Sequence, residues 1–298
     1  MSLFTGVDIG GTSIKCGVID EEGNIIKSFE RETEAYKGGL SIVEKVKEIV
    51  RDFKEKYKIE GICISTAGMV CPTEGKIIYA GPTIPNYTGI EVKKILEEEF
   101  NIKCSVENDV NCAALGELWL GAGKMKKSIA CMTIGTSIGG AIIIDGKIVH
   151  GFSNSAGEIG YMLVNGKQIQ DIASTTALIK NVANRKSINK NKIDGKYIFK
   201  KYEQGDSVCK EEVEKLADNL ALGLTNIIYL FNPEIIILGG GIMAREDILR
   251  ILIDKSLKKY LIESVYKNTN ISFAKLKNTA GMIGAVFDFK NKNYVNLK

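Results

Sequence analysis

One short pattern occurs twice in this chain, and it limits the fold more than any other feature. Gly11-Thr12-Ser13-Ile14 and Gly135-Thr136-Ser137-Ile138 each sit between two runs rich in β-branched residues. In the first copy Thr5 to Ile9 and Ile14 to Ile19 read as strands joined by Gly10-Gly11-Thr12, and Glu21-Glu22-Gly23-Asn24 leads to a third strand, Ile25 to Phe29. Turn residues between such runs are the hairpin signal. In the second copy the strands are Ile129 to Ile134 and Ala141 to Ile144, and Asp145-Gly146 turns into Ile148-Val149-His150. The same tetrapeptide at the same strand-turn-strand position predicts two related halves.

Each half continues with helices and buried strands. Leu40, Ile42, Val43, Val46, Ile49, Val50 and Phe53 repeat at helical spacing and predict a helix over 39–57. A strand is expected at Gly61 to Ser65, a helix at 89–100, a strand at 103–107 and a helix at 109–121. In the second half helices are expected at 174–186 and 208–231, a strand from Glu234 to Leu238, a helix at 245–260 and a last one from about Gly281. Strands and helices mixed in this way place the chain in the α/β class.

Composition excludes several alternatives. The chain has 298 residues, 45% of them hydrophobic, which is too apolar for a disordered protein. With four prolines and no Gly-X-Y period it is not fibrous. No apolar run approaches the ~20 residues of a membrane helix. The net charge is +4, and the basic stretches (Lys180 to Lys201 and the C-terminal tail) are interrupted by acids or turns. They read as solvated surface, so neither nucleic acid nor membrane is an expected partner. The seven cysteines are odd in number, lack C-x-x-C spacing and mostly lie in apolar segments. Buried free thiols and the absence of a signal peptide predict a reducing compartment, the cytoplasm.

Three glycine turns follow strands: Gly10-Gly11-Thr12, Gly135-Thr136 with Gly139-Gly140, and Gly239-Gly240-Gly241. Glycine lets backbone N–H groups close around an anion, and the threonine hydroxyls add donors. Three such turns point to a phosphate-bearing ligand. Neither the P-loop spacing nor a dinucleotide fingerprint is present. Asp8, just before the first turn, would repel a phosphate unless a cation lay between them, which suggests Mg²⁺ held through water. The alternative is a turn-capping aspartate. In Glu107-Asn108-Asp109-Val110-Asn111 a strand gives way to a helix. Asn and Asp are favoured N-caps. The functional reading makes Asp109 a general base for a substrate hydroxyl attacking phosphorus, worth ~10²–10⁴-fold in rate.

These stretches resemble the ROK family of bacterial sugar kinases and repressors, within the actin and hexokinase-like superfamily. The resemblance rests on Asp8-Ile9-Gly10-Gly11-Thr12, Glu107 to Asn111, Ile134 to Gly140, Ala156-Gly157-Glu158-Ile159-Gly160 and Leu238 to Gly241, in family order from residue 6 to about 284. It implies a two-domain ribonuclease H-like fold with an interdomain cleft. The smaller domain would comprise 1–120 with 283–298 and the larger 121–282, with hinges near Gly121 and Gly281. It also implies ATP-dependent phosphorylation of a hexose, at the 6-hydroxyl, by a homodimer. Asp109 would be the base. Gly68, Asn108 and Glu158 would line the sugar site, with Thr83 and Asn86 as loop candidates. Gly10, Gly11, Thr12, Lys15, Gly135 and Thr136 would face the phosphates, and Gly239 and Gly240 the adenosine.

The departures concern the sugar. Many relatives carry a zinc site after Ala-Gly-Glu-Ile-Gly, built from a His and several cysteines. Here Tyr161 takes the His position and 162–173 hold no cysteine, so no zinc is expected. His150 is expected to be a half-exposed strand residue. The family's next sugar-contacting glutamate aligns with Gln170, or with Asp171 after a slip of one. The substrate could then be glucose, N-acetylmannosamine or a β-glucoside. Other readings are a sugar-binding repressor, for which only seven residues precede Asp8, a silent sensor, and an ATPase without a sugar acceptor.

Overall fold

A computed structural model describes residues 2–294; the remainder, including the end of the basic tail, lies outside the described residues. The chain divides into two compact units. The first contains Met1–Met125, His150–Ser155 and Lys275–Lys298, and the second Lys126–Val149 with Ala156–Ala274. The sequence reading had drawn these lines at 120/121 and 282/283.

The first unit is built on five strands: β1 (Leu3–Ile9), β2 (Ser13–Asp20), β3 (Ile25–Glu32), β4 (Ile59–Thr66) and β5 (Cys104–Asn108), in the order β3-β2-β1-β4-β5. The second has β6 (Ile129–Ile134), β7 (Ile138–Ile144), β8 (Lys147–Ile148), β9 (Ile235–Gly239) and β10 (Ile271–Phe273), in the order β8-β7-β6-β9-β10. In both sheets the opening strand pairs antiparallel with the next and parallel with the fourth. The repeated tetrapeptide therefore marks a repeated sheet. The turns differ by one residue, since Ile9 pairs with Ile14 but Ile134 with Ile138.

Helix α1 (Gly39–Lys54) buries Ile42, Val43, Val46, Ile49, Val50 and Phe53 on the first sheet. Each such side chain contributes about 1.5–3 kcal/mol when fully buried. The stripe ends at Phe53, and the helix ends three residues before the expected limit. Helix α2 (Val92–Phe100) precedes β5, and α3 (Asp109–Leu120) follows it. The second unit carries α4 (Ile169–Ala173), α5 (Thr175–Lys186), α6 (Gly195–Glu203), α7 (Ser207–Phe231), α8 (Glu246–Tyr260) and α9 (Glu263–Tyr266). Asp206 caps α7 at its start, and Asn232 ends it in a left-handed conformation just before Pro233.

The last helix, α10 (Ala280–Asn293), returns to the first unit and packs along α3. A side chain at Gly116 would meet the Ala280 carbonyl at 2.5 Å, and one at Gly284 would meet the Cys112 carbonyl at 1.6 Å. Glycine at both positions lets the two backbones touch.

Some elements were not foreseen. A small hairpin joins Met69–Cys71 to Lys76–Tyr79. Three residues of β10 are too few to show a period, and the apolar face of α6 (Ile198 and Phe199) lies hidden in a lysine-rich stretch. The strand expected to reach His150 ends at Ile148.

Candidate active site

In the first unit three strand ends lie level. Ile9 pairs with Thr66, and Thr66 with Asn108, so β1, β4 and β5 finish at one edge. The next residues, Gly10, Ala67-Gly68 and Asp109, leave that edge together. In open α/β sheets the carboxyl ends of the strands are where ligands bind.

Asp8 lies one residue inside this edge, with Lys15 opposite on β2 and Ser65 opposite on β4. The Ser65 hydroxyl donates to Asp8 Oδ1 at 2.6 Å. Burial raises the Asp8 carboxyl above its usual range, opposed by the Ser65 bond and the Lys15 charge. A Cβ at Gly281, in the first turn of α10, would stand 2.6–2.8 Å from the Asp8 carboxylate atoms. Glycine there leaves room for the carboxylate. These residues fit a hydrated Mg²⁺: the ion takes one or two carboxylates plus phosphate oxygens and water, and it would favour the ionised form that burial disfavours. The turn beyond is closed by Gly10 N–H donating to the Ser13 carbonyl at 3.0 Å and by the Thr33 hydroxyl donating to the Gly10 carbonyl at 2.7 Å. Gly11 and Thr12 are exposed at its tip.

Asn108 caps α3. Its Oδ1 accepts from the N–H groups of Val110 (2.9 Å) and Asn111 (3.1 Å). That fixes the amide orientation, so Nδ2 donates to the Gly68 carbonyl at 3.0 Å and to Asp109 Oδ1 at 2.9 Å. The Asp109 oxygen also accepts from Val110 N–H at 3.0 Å. Asp109 is the first residue of the helix, where the helix dipole favours an ionised carboxylate. The N-cap and base readings of this motif are thus compatible: the cap residue orients the Asp109 carboxylate. Thr83 and Asn86 lie exposed on the loop before Tyr87, whose buried hydroxyl is 2.8 Å from Thr66 Oγ1.

The second unit supplies the other candidates. Gly135 N–H donates to the Ser137 carbonyl, and the Gly135 carbonyl accepts from Thr175 N–H, each at 2.9 Å. This ties the second glycine turn to the start of α5. A cavity of about 830 Å³ opens here, lined by Gly135, Thr136, Thr175, Phe199, Gly241 and Arg245 among others. Its size suits a nucleotide. The Thr175 hydroxyl is buried without a hydrogen-bond partner. The Arg245 guanidinium lies 5.1 Å from the centre of the Phe199 ring and pairs with Glu203 and Asp247. Gly240 has φ 98°, and a Cβ there would meet the Ile134 carbonyl at 2.2 Å. Gly239 and Gly240 bring β9 close to the glycine turn, and the neighbouring Gly241 lines the cavity.

Glu158 precedes a short 3₁₀ turn, Ile159–Tyr161, that packs on β7. Burial raises its carboxyl above the usual range. Tyr161 is 45% exposed. Gln170 accepts from the Ser137 hydroxyl and donates to Gln168 Oε1, whereas Asp171 is exposed. Gln170, not Asp171, is joined to the glycine turn. Among the described residues no group of three or more His, Cys, Asp or Glu is placed to hold a metal ion. Nor is any helix long and apolar enough to cross a membrane.

Sequence reasoning missed two features. Phe199 and Arg245 had no motif to mark them. His150, expected as a half-exposed strand residue, is partly exposed but lies past the end of β8, with Nε2 2.8 Å from Glu107 Oε2. Its partner is 43 positions away, so no local pattern could reveal it.

A duplicated sheet with a glycine turn in each copy, a carboxylate at a helix start and a nucleotide-sized cavity define a phosphotransferase of the actin and hexokinase-like class. Within that class the chain belongs to the ROK family, whose model matches residues 4–292. An uncharacterised protein of Clostridium perfringens is 70% identical over 97% of this chain and 98% of its own. A β-glucoside kinase of Listeria monocytogenes is 34% identical over 95% of both chains. The structure of a ROK family glucokinase from Streptomyces griseus, in complex with glucose and AMPPNP, is 30% identical, covers 98% of this chain and 100% of its own, and superposes with a TM-score of 0.84.

Proposed function

We propose that this chain transfers the γ-phosphoryl group of ATP to the 6-hydroxyl of a glucopyranose, free or β-linked through C1. The enzyme is a sugar phosphotransferase. Asp109 accepts the proton of the attacking hydroxyl, and the Asn108 amide holds its carboxylate in place. The turns at Gly10–Thr12 and Gly135–Thr136 donate N–H and hydroxyl groups to phosphate oxygens, and Lys15 adds positive charge beside them. Phosphoryl transfer depends on such positioning and charge neutralisation more than on covalent chemistry. Mg²⁺, when bound through water near Asp8, would supply further neutralisation. The adenosine occupies the cavity beside Phe199 and Gly241. Gly68, Glu158, Tyr161 and Gln170 meet the sugar, with Thr83 or Asn86 from the loop. The enzyme works in the cytoplasm as a homodimer without zinc.

The observation that carries this reading is the level edge at which Asp109, oriented by Asn108, emerges at the same end of the sheet as the Asp8–Gly10 turn, with β4 between them. A silent sensor would not need a carboxylate so held. Asp109→Asn tests it. The variant should keep its melting temperature and ATP affinity and lose about 10²-fold or more in kcat. Near-normal turnover would remove Asp109 from the mechanism.

A further inference from the structure

We propose that Glu107 and His150 are positioning residues that act on Asp109 through the strand–helix junction, an inference that rests on Asp109 being the base. Glu107 is the penultimate residue of β5 and is only 1% exposed. Its Oε1 accepts from the backbone N–H of Asn108 and from Asn111 Nδ2, both at 2.9 Å. One carboxylate oxygen therefore grips the residue before Asp109 and the residue two places after it. The other oxygen, Oε2, faces His150 Nε2 at 2.8 Å and Lys292 Nζ at 3.5 Å. A carboxylate can only accept, so Nε2 carries the proton. Burial would raise the Glu107 carboxyl, but the His150 bond and the Lys292 charge outweigh it and hold the group below its usual range.

Stability alone does not account for the arrangement. A buried ion pair gains little over apolar packing, because desolvation offsets the attraction. A fully engaged polar network does define one geometry. Here the geometry defined is that of the peptide bearing the base. The origin of His150 adds a second link. His150–Ser155 belongs to the first unit, while its neighbours Val149 and Ala156 belong to the second. The Glu107–His150 bond thus anchors this insertion at its first residue, and the chain reaches Glu158 soon after leaving it.

The test is steady-state kinetics on the full-length enzyme with Mg-ATP and its best sugar. His150→Ala should lower kcat by ~10- to 10²-fold, the scale of a small misplacement of reacting groups. The KM for ATP should stay within about twofold, and melting followed by the fluorescence of the lone Trp119 should be unchanged. His150→Gln, whose Nε2 can donate to the same oxygen, should recover most of the rate. In a double-mutant cycle, Glu107→Gln and His150→Ala should be non-additive, the pair being no slower than the worse single variant. A kcat within about twofold of wild type for His150→Ala would overturn the proposal. So would His150→Gln as slow as His150→Ala, or additive losses in the cycle. Should His150→Ala not fold, Glu107→Gln and His150→Gln are compared by the same split between kcat and KM. Asp109→Asn is measured beside them: if it keeps its rate, the base assignment fails, whereas a dead Asp109→Asn with a normal His150→Ala refutes only the positioning role.

Discussion

At the scale of single residues, the chemistry depends on contacts that leave no spare room. A Cβ at Gly281 would stand 2.6–2.8 Å from the Asp8 carboxylate atoms, so Gly281→Ala should displace that group. The expected outcome is a kcat loss of roughly tenfold or more, with a raised requirement for Mg²⁺. Unchanged kcat and metal dependence would show that Asp8 does not act at the phosphates. Asp288, buried on α10, has its carboxyl raised to about 6 by burial, partly offset by Lys292 at 2.7 Å. Because the folded value lies above the unfolded one, its contribution to stability is complete below about 3.8 and is lost as pH rises through about 6. Asp288→Asn cannot ionise. Its melting temperature relative to wild type should therefore grow more favourable from about pH 4 to about pH 7. A pH-independent difference would contradict the raised carboxyl. The cap of α3 was legible in the sequence, because Asn and Asp are favoured where a strand gives way to a helix. His150 was not, because its meaning lies in a buried partner contributed by a distant strand.

At the scale of elements, hairpins and long amphipathic helices could be read before the fold was known. Glycine turns between β-branched runs predicted β1–β2 and β6–β7, and apolar stripes predicted α1 and α7. Where tertiary contact made the element, the reading failed. Strand β10 is three residues held by pairing with β9, and α6 hides its two buried residues among lysines. The resemblance placed the last helix with the first unit, but the contact that holds the chain where it leaves and returns was not legible. Glu117, 1% exposed, accepts the N–H of Ala122 through Oε2 and that of Leu276 through Oε1, each at 2.7 Å. One carboxylate therefore fixes the chain just before it leaves the first unit and just after it returns. Glu117→Ala should lower unfolding stability by roughly 1–3 kcal/mol, because two half-buried donors lose their acceptor. Glu117→Gln, which keeps one oxygen acceptor, should lose less. Equal stability of Glu117→Ala and wild type in urea unfolding would count against this role.

At the scale of the whole molecule, the chain repeats one sheet, and what borders the two copies differs. The first copy ends in carboxylates and an amide, suited to a proton and a cation. The second opens onto a cavity that suits a nucleotide. The tetrapeptide repeat exposed the duplication, although the two turns that carry it differ by one residue. Nothing in the letters of 195–203 or at Arg245 marked the cavity, because it is made by elements far apart in sequence. Sugar-dependent phosphoryl transfer with Asp109 as the base is tested by ADP release with Mg-ATP. The panel contains glucose, mannose, N-acetylglucosamine, N-acetylmannosamine, fructose, allose, cellobiose and other β-glucosides, each with wild type and Asp109→Asn. Glucose or a β-glucoside should stimulate wild type strongly, and the variant should lose nearly all of that stimulation. ADP release that no sugar stimulates, or that Asp109→Asn leaves intact, would contradict this mechanism.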